Sequence, residues 1–138
     1  MAVNYALAPT VTVAEIVRQC RAAVAWIHAH ADEFGGDGTR IHLGGSSAGG
    51  HLAAMMLTPG WEADFGVPDN LVAGATLLSG LYDLEPVRLG HPNEWLKLSR
   101  NLLRLEWVEM VRFLHPPVSR AWPDPRGPEI KEDASINR

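Results

Sequence analysis

The chain has 138 residues, of which 46% are hydrophobic and 20% charged, and a formal net charge of −4. A chain of this length forms one domain rather than two. Its acidic balance predicts no nucleic-acid partner, and its apolar stretches fall short of the roughly 20 residues that span a membrane. Because no secretory signal is visible and Cys20 is the sole cysteine, we expect a cytoplasmic protein in a reducing compartment.

The amino-terminal part of the chain predicts a short strand followed by a long helix. Residues 2–7 read as the strand, which ends at a proline because proline cannot donate to a strand ladder. Thr10 or Thr12 can cap the helix, and Glu15 follows Thr12 at the capping-box spacing. Apolar residues then recur at steps of three and four up to about Phe34. This periodicity is typical of a helix with one buried face.

Two further strands and one further helix follow. Residues 40–44 predict a strand, residues 45–50 a glycine-rich turn, and residues 48–57 a helix. Residues 71–79 are almost continuously apolar, which is typical of a strand buried on both faces. The order strand, helix, strand, helix, strand indicates an α/β fold with a parallel sheet flanked by helices.

The chain changes in character after position 98. Residues 93–114 predict one or two helices, whereas the sequence from Pro116 onward holds five prolines and almost no apolar periodicity. Such a segment lacks the apolar surface needed to offset the entropy of ordering it. We therefore divide the chain into a partial domain, residues 1–98, and a divergent helical segment with an irregular or disordered tail, residues 99–138.

A G-x-S-x-G motif, Gly45–Gly49, lies between the second strand and the second helix. A sharp strand-to-helix turn at its central serine, Ser47, lifts the hydroxyl clear of the sheet and requires small residues two positions before and after. The same turn places the Ala48 backbone N–H where it can donate to a developing oxyanion. The motif thus predicts Ser47 as the nucleophile and Ala48 as one oxyanion donor. A glycine-rich turn that binds an anion or packs closely is the alternative interpretation.

Three separated segments carry a family resemblance: residues 3–9 (VNYALAP), 44–53 (GGSSAGGHLA) and 79–86 (SGLYDLEP). Together they resemble α/β-hydrolases of the kynurenine formamidase (arylformamidase) type and, more distantly, hormone-sensitive-lipase-like esterases. The resemblance implies hydrolysis of a small amide or ester through an acyl-serine intermediate. It also implies a second oxyanion donor from a loop upstream of Met1, and a triad acid and histidine beyond position 98.

From position 99 the sequence no longer resembles this family. We therefore interpret the chain as a middle portion of such a hydrolase, weakly active or inactive: a fragment, a gene-model truncation or a product with a replaced carboxyl-terminal part. The alternative hypothesis is a non-catalytic hydrolase-like remnant that acts as a binding or interaction module. Because a sheet cut short exposes edges and apolar faces, we expect the chain either to self-associate or to remain partly unfolded.

The residues that would complete a catalytic triad are not assigned. Asp83 is interpreted as a turn or cap carboxylate, and His91 and His115 would reach Ser47 only by chance. His51, on the helix that follows the motif, is expected to pack or cap locally. No histidines or carboxylates stand at metal-ligand spacing, so no metal and no cofactor are predicted.

Overall fold

A computed structural model of the chain describes residues 1–100 and residue 103. No helix in this part of the chain is long and apolar enough to cross a membrane. The predicted division at position 98 leaves a second segment that lies outside the described residues, apart from Ser99, Arg100 and Leu103. The elements in chain order are α1 (Val13–His30), β1 (Ile41–Ser46), α2 (Ala48–Met55), β2 (Val72–Leu78), α3 (Glu85–Leu89) and α4 (Asn93–Leu96).

Helix α1 begins after Thr12, whose hydroxyl accepts a hydrogen bond from the Glu15 N–H at 3.2 Å. This is only half of the predicted capping box, since the Glu15 carboxylate instead accepts bonds from Arg18, at 2.7 and 2.8 Å, and from Gln19, at 3.0 Å. The hydrogen bonds from Arg18 above all lower the pKa of Glu15 to about 2. Helix α1 ends at His30, and a 3-10 turn continues the chain to Phe34.

The two strands form a parallel sheet flanked by helices, which confirms the predicted fold class. Residue His42 of β1 lies opposite Gly74 of β2, and Ser46 lies opposite Leu78. Helix α2 forms part of the crossover between the strands, as the βαβ pattern predicts. The apolar stripe of α1 packs against α2 and the sheet. The buried core consists of Ile16, Val17, Cys20, Val24, Ile41, Leu52, Met55, Met56, Trp61 and Leu71.

The strand predicted at residues 2–7 is absent, and this prediction was wrong. These residues have no regular secondary structure. The Ala6 N–H donates to the side-chain oxygen of Gln19 on α1 at 2.9 Å, and Tyr5 packs against the core. A strand needs a neighbouring strand to complete its ladder. Here a helix side chain satisfies the backbone donor instead, so strand-like composition does not lead to a strand.

The prediction that the strand at residues 71–79 is buried on both faces was also wrong. None of the residues of β2 is fully buried, and Leu78 is 58% exposed. Exposed positions also alternate along β1, at His42, Gly44 and Ser46. One face of the sheet is therefore open, because the layer that would cover it is not formed by the described residues.

Candidate active site

Ser47 occupies the turn between β1 and α2 and is the N-cap residue of that helix. Its backbone angles, φ 54° and ψ −120°, lie where L residues rarely occur. The Ser47 N–H donates to the Leu78 carbonyl at 2.9 Å, and the Ser47 carbonyl accepts from the His51 N–H at 3.1 Å. The residue is exposed. The strand-turn-helix geometry predicted from the motif is present, with the serine in a strained conformation and open to solvent.

The glycines around Ser47 differ in how closely other atoms approach them. A Cβ at Gly45 would overlap the backbone carbonyl of Gly49, so only glycine fits there. A Cβ at Gly49 would meet no atom within 4 Å outside the backbone of its own helix. The expectation that both positions must be small is therefore confirmed for Gly45 and wrong for Gly49. The second close approach is at Gly50, where a Cβ would lie 2.9 Å from the Gly80 Cα.

Ala48 is the first residue of α2 and is exposed. The first N–H groups of a helix have no acceptor within the helix, and the helix dipole makes this end favourable for negative charge. The position is therefore suited to donate a hydrogen bond to an oxyanion on a group attached to Ser47. The oxyanion role of Ala48 stays a prediction.

The last residue of β2 and the four residues after it pack against the turn that holds Ser47. We call this segment, residues 78–82, the elbow strap. Its first residue accepts the Ser47 N–H, its glycine, Gly80, touches Gly50, and its last residue, Tyr82, lies with its ring against Gly80. The Leu81 carbonyl accepts a hydrogen bond from Nδ1 of His51 at 2.7 Å. No role was predicted for residues 78–82, although positions 79–82 lie in a segment that carries the family resemblance. The glycines at positions 50 and 80 were the available signal.

His51 is buried on α2, with 4% of its surface exposed. Burial lowers the pKa of His51, and the hydrogen bond to Leu81 acts in the opposite direction. A carbonyl can only accept, so Nδ1 carries the proton in this bond. His51 is therefore packed, as expected, but its hydrogen bond is not local, because it joins α2 to residue 81.

The other candidate partners of Ser47 make contacts of their own. Asp83 accepts a hydrogen bond from the Glu85 N–H at 3.0 Å, at the start of α3, which is the predicted turn role. His91 is exposed, with its Nε2 3.6 Å from the Glu94 carboxylate and its ring against Trp95. His115 lies outside the described residues. The contacts of Asp83 and His91 are therefore with their own neighbours in the chain and not with Ser47.

The remaining described histidines lie on α1 and β1. Nδ1 of His28 is 2.8 Å from the Gly38 carbonyl, and Nδ1 of His30 is 2.8 Å from the Trp26 carbonyl. His42 stands on the open face of the sheet, beside Gly74. Within residues 1–100 and residue 103, no three His, Cys, Asp or Glu side chains come together as a metal site would require. None of these contacts involves Ser47.

Comparison with known proteins agrees with this geometry. A family model described as the alpha/beta hydrolase fold matches residues 1–125. Kynurenine formamidase from Danio rerio is 35% identical over 102 residues, which cover 74% of this chain and 33% of that protein. Hormone-sensitive lipase from Mus musculus is 31% identical over 87 residues, which cover 63% of this chain and 12% of that protein. The resemblance to these two kinds of hydrolase is therefore confirmed.

A solved structure shows the same arrangement. A proposed thioesterase from Silicibacter sp. superposes with a TM-score of 0.59 at 33% sequence identity, over 75% of this chain and 36% of that one. The chain spans about one third of the length of this protein and of the formamidase. The similarity thus covers most of this chain and the smaller part of each relative.

Proposed function

The chain belongs to the α/β-hydrolase family, and we propose that it carries the nucleophile of a serine hydrolase that cleaves small amides or esters. The observation that carries the proposal is the conformation of Ser47, which is exposed at the end of β1 with φ 54° and ψ −120°. Strained backbone of this kind is found mainly at functional sites. The relatives are named as a formamidase, a lipase and a proposed thioesterase, which supports an acyl-transfer reaction.

In the proposed reaction, the Ser47 hydroxyl oxygen bonds to the substrate carbonyl carbon while a general base takes its proton. The carbonyl π electrons move to the oxygen, and the Ala48 N–H donates to that oxyanion. The tetrahedral intermediate then expels the amine or alcohol, which receives the proton, and leaves an acyl-serine. Water attacks the acyl-serine by the same steps, releasing the acid and restoring the serine.

The acid and the base of this reaction are proposed to lie outside residues 1–100. Asp83 and His91 make the contacts described above, with Glu85 and Glu94, and His51 donates to the strap. The same observation favours a second candidate function, a hydrolase-like module that binds a partner or ligand without catalysis. The two differ in whether the Ser47 hydroxyl is activated.

Labelling with a fluorophosphonate probe tests the proposal, because the probe reacts with activated serines. The full chain is compared with Ser47→Ala and with Ser46→Ala, a control that removes the adjacent hydroxyl, which is also exposed. We expect labelling of the unaltered chain and of Ser46→Ala, and none of Ser47→Ala. No labelling of a chain shown to be folded by circular dichroism would favour the non-catalytic module.

The substrate class is tested next on chain that has not been exposed to the probe, because labelled Ser47 can no longer act as a nucleophile. Formanilides report amide cleavage and short p-nitrophenyl esters report ester cleavage, and each is measured with Ser47→Ala as the blank. Hydrolysis of either class that is absent from Ser47→Ala supports the proposal. Hydrolysis that persists in Ser47→Ala would assign the activity to another group.

A further inference from the structure

We propose that His51 is a positioning residue, whose Nδ1–H bond to the Leu81 carbonyl holds the elbow strap against the turn and so maintains the backbone conformation of Ser47. The catalytic consequence of this inference rests on the proposed function. Its structural part, the control of the Ser47 backbone, does not.

The contacts form a closed ring. The Ser47 N–H donates to the Leu78 carbonyl at 2.9 Å, and the Ser47 carbonyl accepts from the His51 N–H at 3.1 Å. Nδ1 of His51 is 2.7 Å from the Leu81 carbonyl, and the short chain from Leu81 back to Leu78 completes the ring. A hydrogen bond made by the His51 side chain therefore fixes the strap that accepts the Ser47 N–H.

This bond is short and shielded from water. His51 is 4% exposed, and a buried donor and acceptor are each costly to leave without a partner. Packing on both sides limits how the strap can move, since Gly50 touches Gly80 and the Tyr82 ring covers Gly80. The strap therefore has little freedom to find another donor for Leu81 when the imidazole is removed.

Strain explains why the turn depends on such a brace. A residue with the angles of Ser47 persists only where the surrounding contacts over-determine it. The N–H and the carbonyl of Ser47 each make one hydrogen bond. The acceptor of the N–H, Leu78, is the first residue of the strap. Loosening the strap removes the acceptor from the Ser47 N–H and lets the backbone relax toward ordinary angles.

Three substitutions of His51 separate this role from simple packing. In His51→Asn the amide nitrogen is the same number of bonds from Cα as Nδ1, so it can donate to Leu81. In His51→Gln the amide nitrogen is one bond further away, as Nε2 is, and His51→Leu has no donor. Packing alone would favour Leu and Gln over the smaller Asn, whereas the positioning role ranks Asn first.

The readout is amide hydrogen exchange of Ser47 in the full chain, followed by NMR, with Val17 and Cys20 of α1 as internal references. We expect exchange at Ser47 to accelerate on the order of tenfold relative to α1 in His51→Leu and His51→Gln, and to stay near the original rate in His51→Asn. Equal acceleration at Ser47 and α1, unchanged exchange at Ser47 in His51→Leu, or an Asn variant as fast as Leu would each overturn the proposal.

The rate of fluorophosphonate labelling is measured on the same four proteins. We expect it to fall with the exchange protection of Ser47, in the order original chain, Asn, then Gln and Leu. If the exchange ranking holds but the original chain is not labelled, the positioning role stands and the proposed function fails. If labelling is equally fast in all four proteins, His51 does not position the nucleophile.

Discussion

Gly45 and Gly49 flank Ser47 symmetrically in the sequence but not in space. An added Cβ at Gly45 would overlap the Gly49 carbonyl, which is backbone and cannot turn away. At Gly49 the same atom would meet no neighbour beyond its own helix, and alanine is a better helix former than glycine. The motif requires a small residue at both positions, whereas in the structure other atoms come close only at Gly45.

We predict that Gly45→Ala lowers the free energy of unfolding by about 3 kcal/mol, since backbone must shift to admit the methyl group. Gly49→Ala is the matched control, and it should be neutral or stabilising by up to about 1 kcal/mol. Urea unfolding followed by circular dichroism measures both. Equal losses in the two variants would contradict the asymmetry.

The part of the site that follows from local spacing could be predicted from the sequence. The position of Ser47 between a strand and a helix needs only the motif and the neighbouring apolar periodicity. The contacts of His51 with Leu81 and of Gly50 with Gly80 join residues far apart in the chain. No local pattern encodes such pairs, so the strap could not be assigned from one sequence.

At the scale of elements, the start of α1 depends on one side chain. Thr12 accepts the Glu15 N–H, and the Glu15 carboxylate is occupied by Arg18 and Gln19 rather than by the backbone of Thr12. The cap therefore has one hydrogen bond where a complete capping box has two. The threonine hydroxyl is the interaction to remove.

We predict that Thr12→Ala lowers the free energy of unfolding by about 1 kcal/mol, because an N–H of the first turn loses its acceptor. Thr12→Ser keeps the hydroxyl and should stay close to the original stability. Thr10→Ala, at the alternative cap position that the sequence also allows, should have little effect. Thermal unfolding compares the three variants, and a larger loss at Thr10 than at Thr12 would place the cap elsewhere.

Helices α1 and α2 and both strands of the sheet were predicted from apolar patterns and turn residues, whereas α3 was not predicted. The errors in the other segments have a common cause. Residues 2–7 and β2 are apolar enough for a strand and for burial on both faces, yet the first is irregular and the second half-exposed. The composition of a segment shows how much apolar surface it could bury in a folded protein. Whether it does so depends on a neighbouring strand or a covering layer, which a segment's own residues do not specify.

At the scale of the whole molecule, the described part leaves apolar surface and strand edges open. Within residues 1–100 the sheet has two strands, so each strand has one edge without a partner strand. A groove of about 600 Å³ lies beside β1, and its lining includes the apolar residues Val3, Val24, Ile41 and Leu43. Unpaired edges next to apolar surface are templates for pairing with another chain.

We propose that the chain self-associates, and we predict that its apparent mass by light scattering rises with concentration and that it binds a hydrophobic dye. Thr76→Lys puts a charge on the open face of β2, where Thr76 is exposed, and should reduce both signals. Ala14→Lys, at an exposed position on α1, is the matched control and should not. A dye-silent monomer at every concentration would contradict the proposal.

The hydrogen bond between Ser47 and Leu78 also constrains the order in which parts of the fold can form during synthesis. The amide of the serine belongs to the first strand-to-helix turn, and its acceptor is the last residue of β2, so a nascent chain synthesises the donor well before the acceptor. Helix α1 needs only local contacts and can form early, whereas parallel pairing must wait for a long loop to close. The conformation of Ser47 therefore cannot be completed until β2 has been synthesised and has paired with β1.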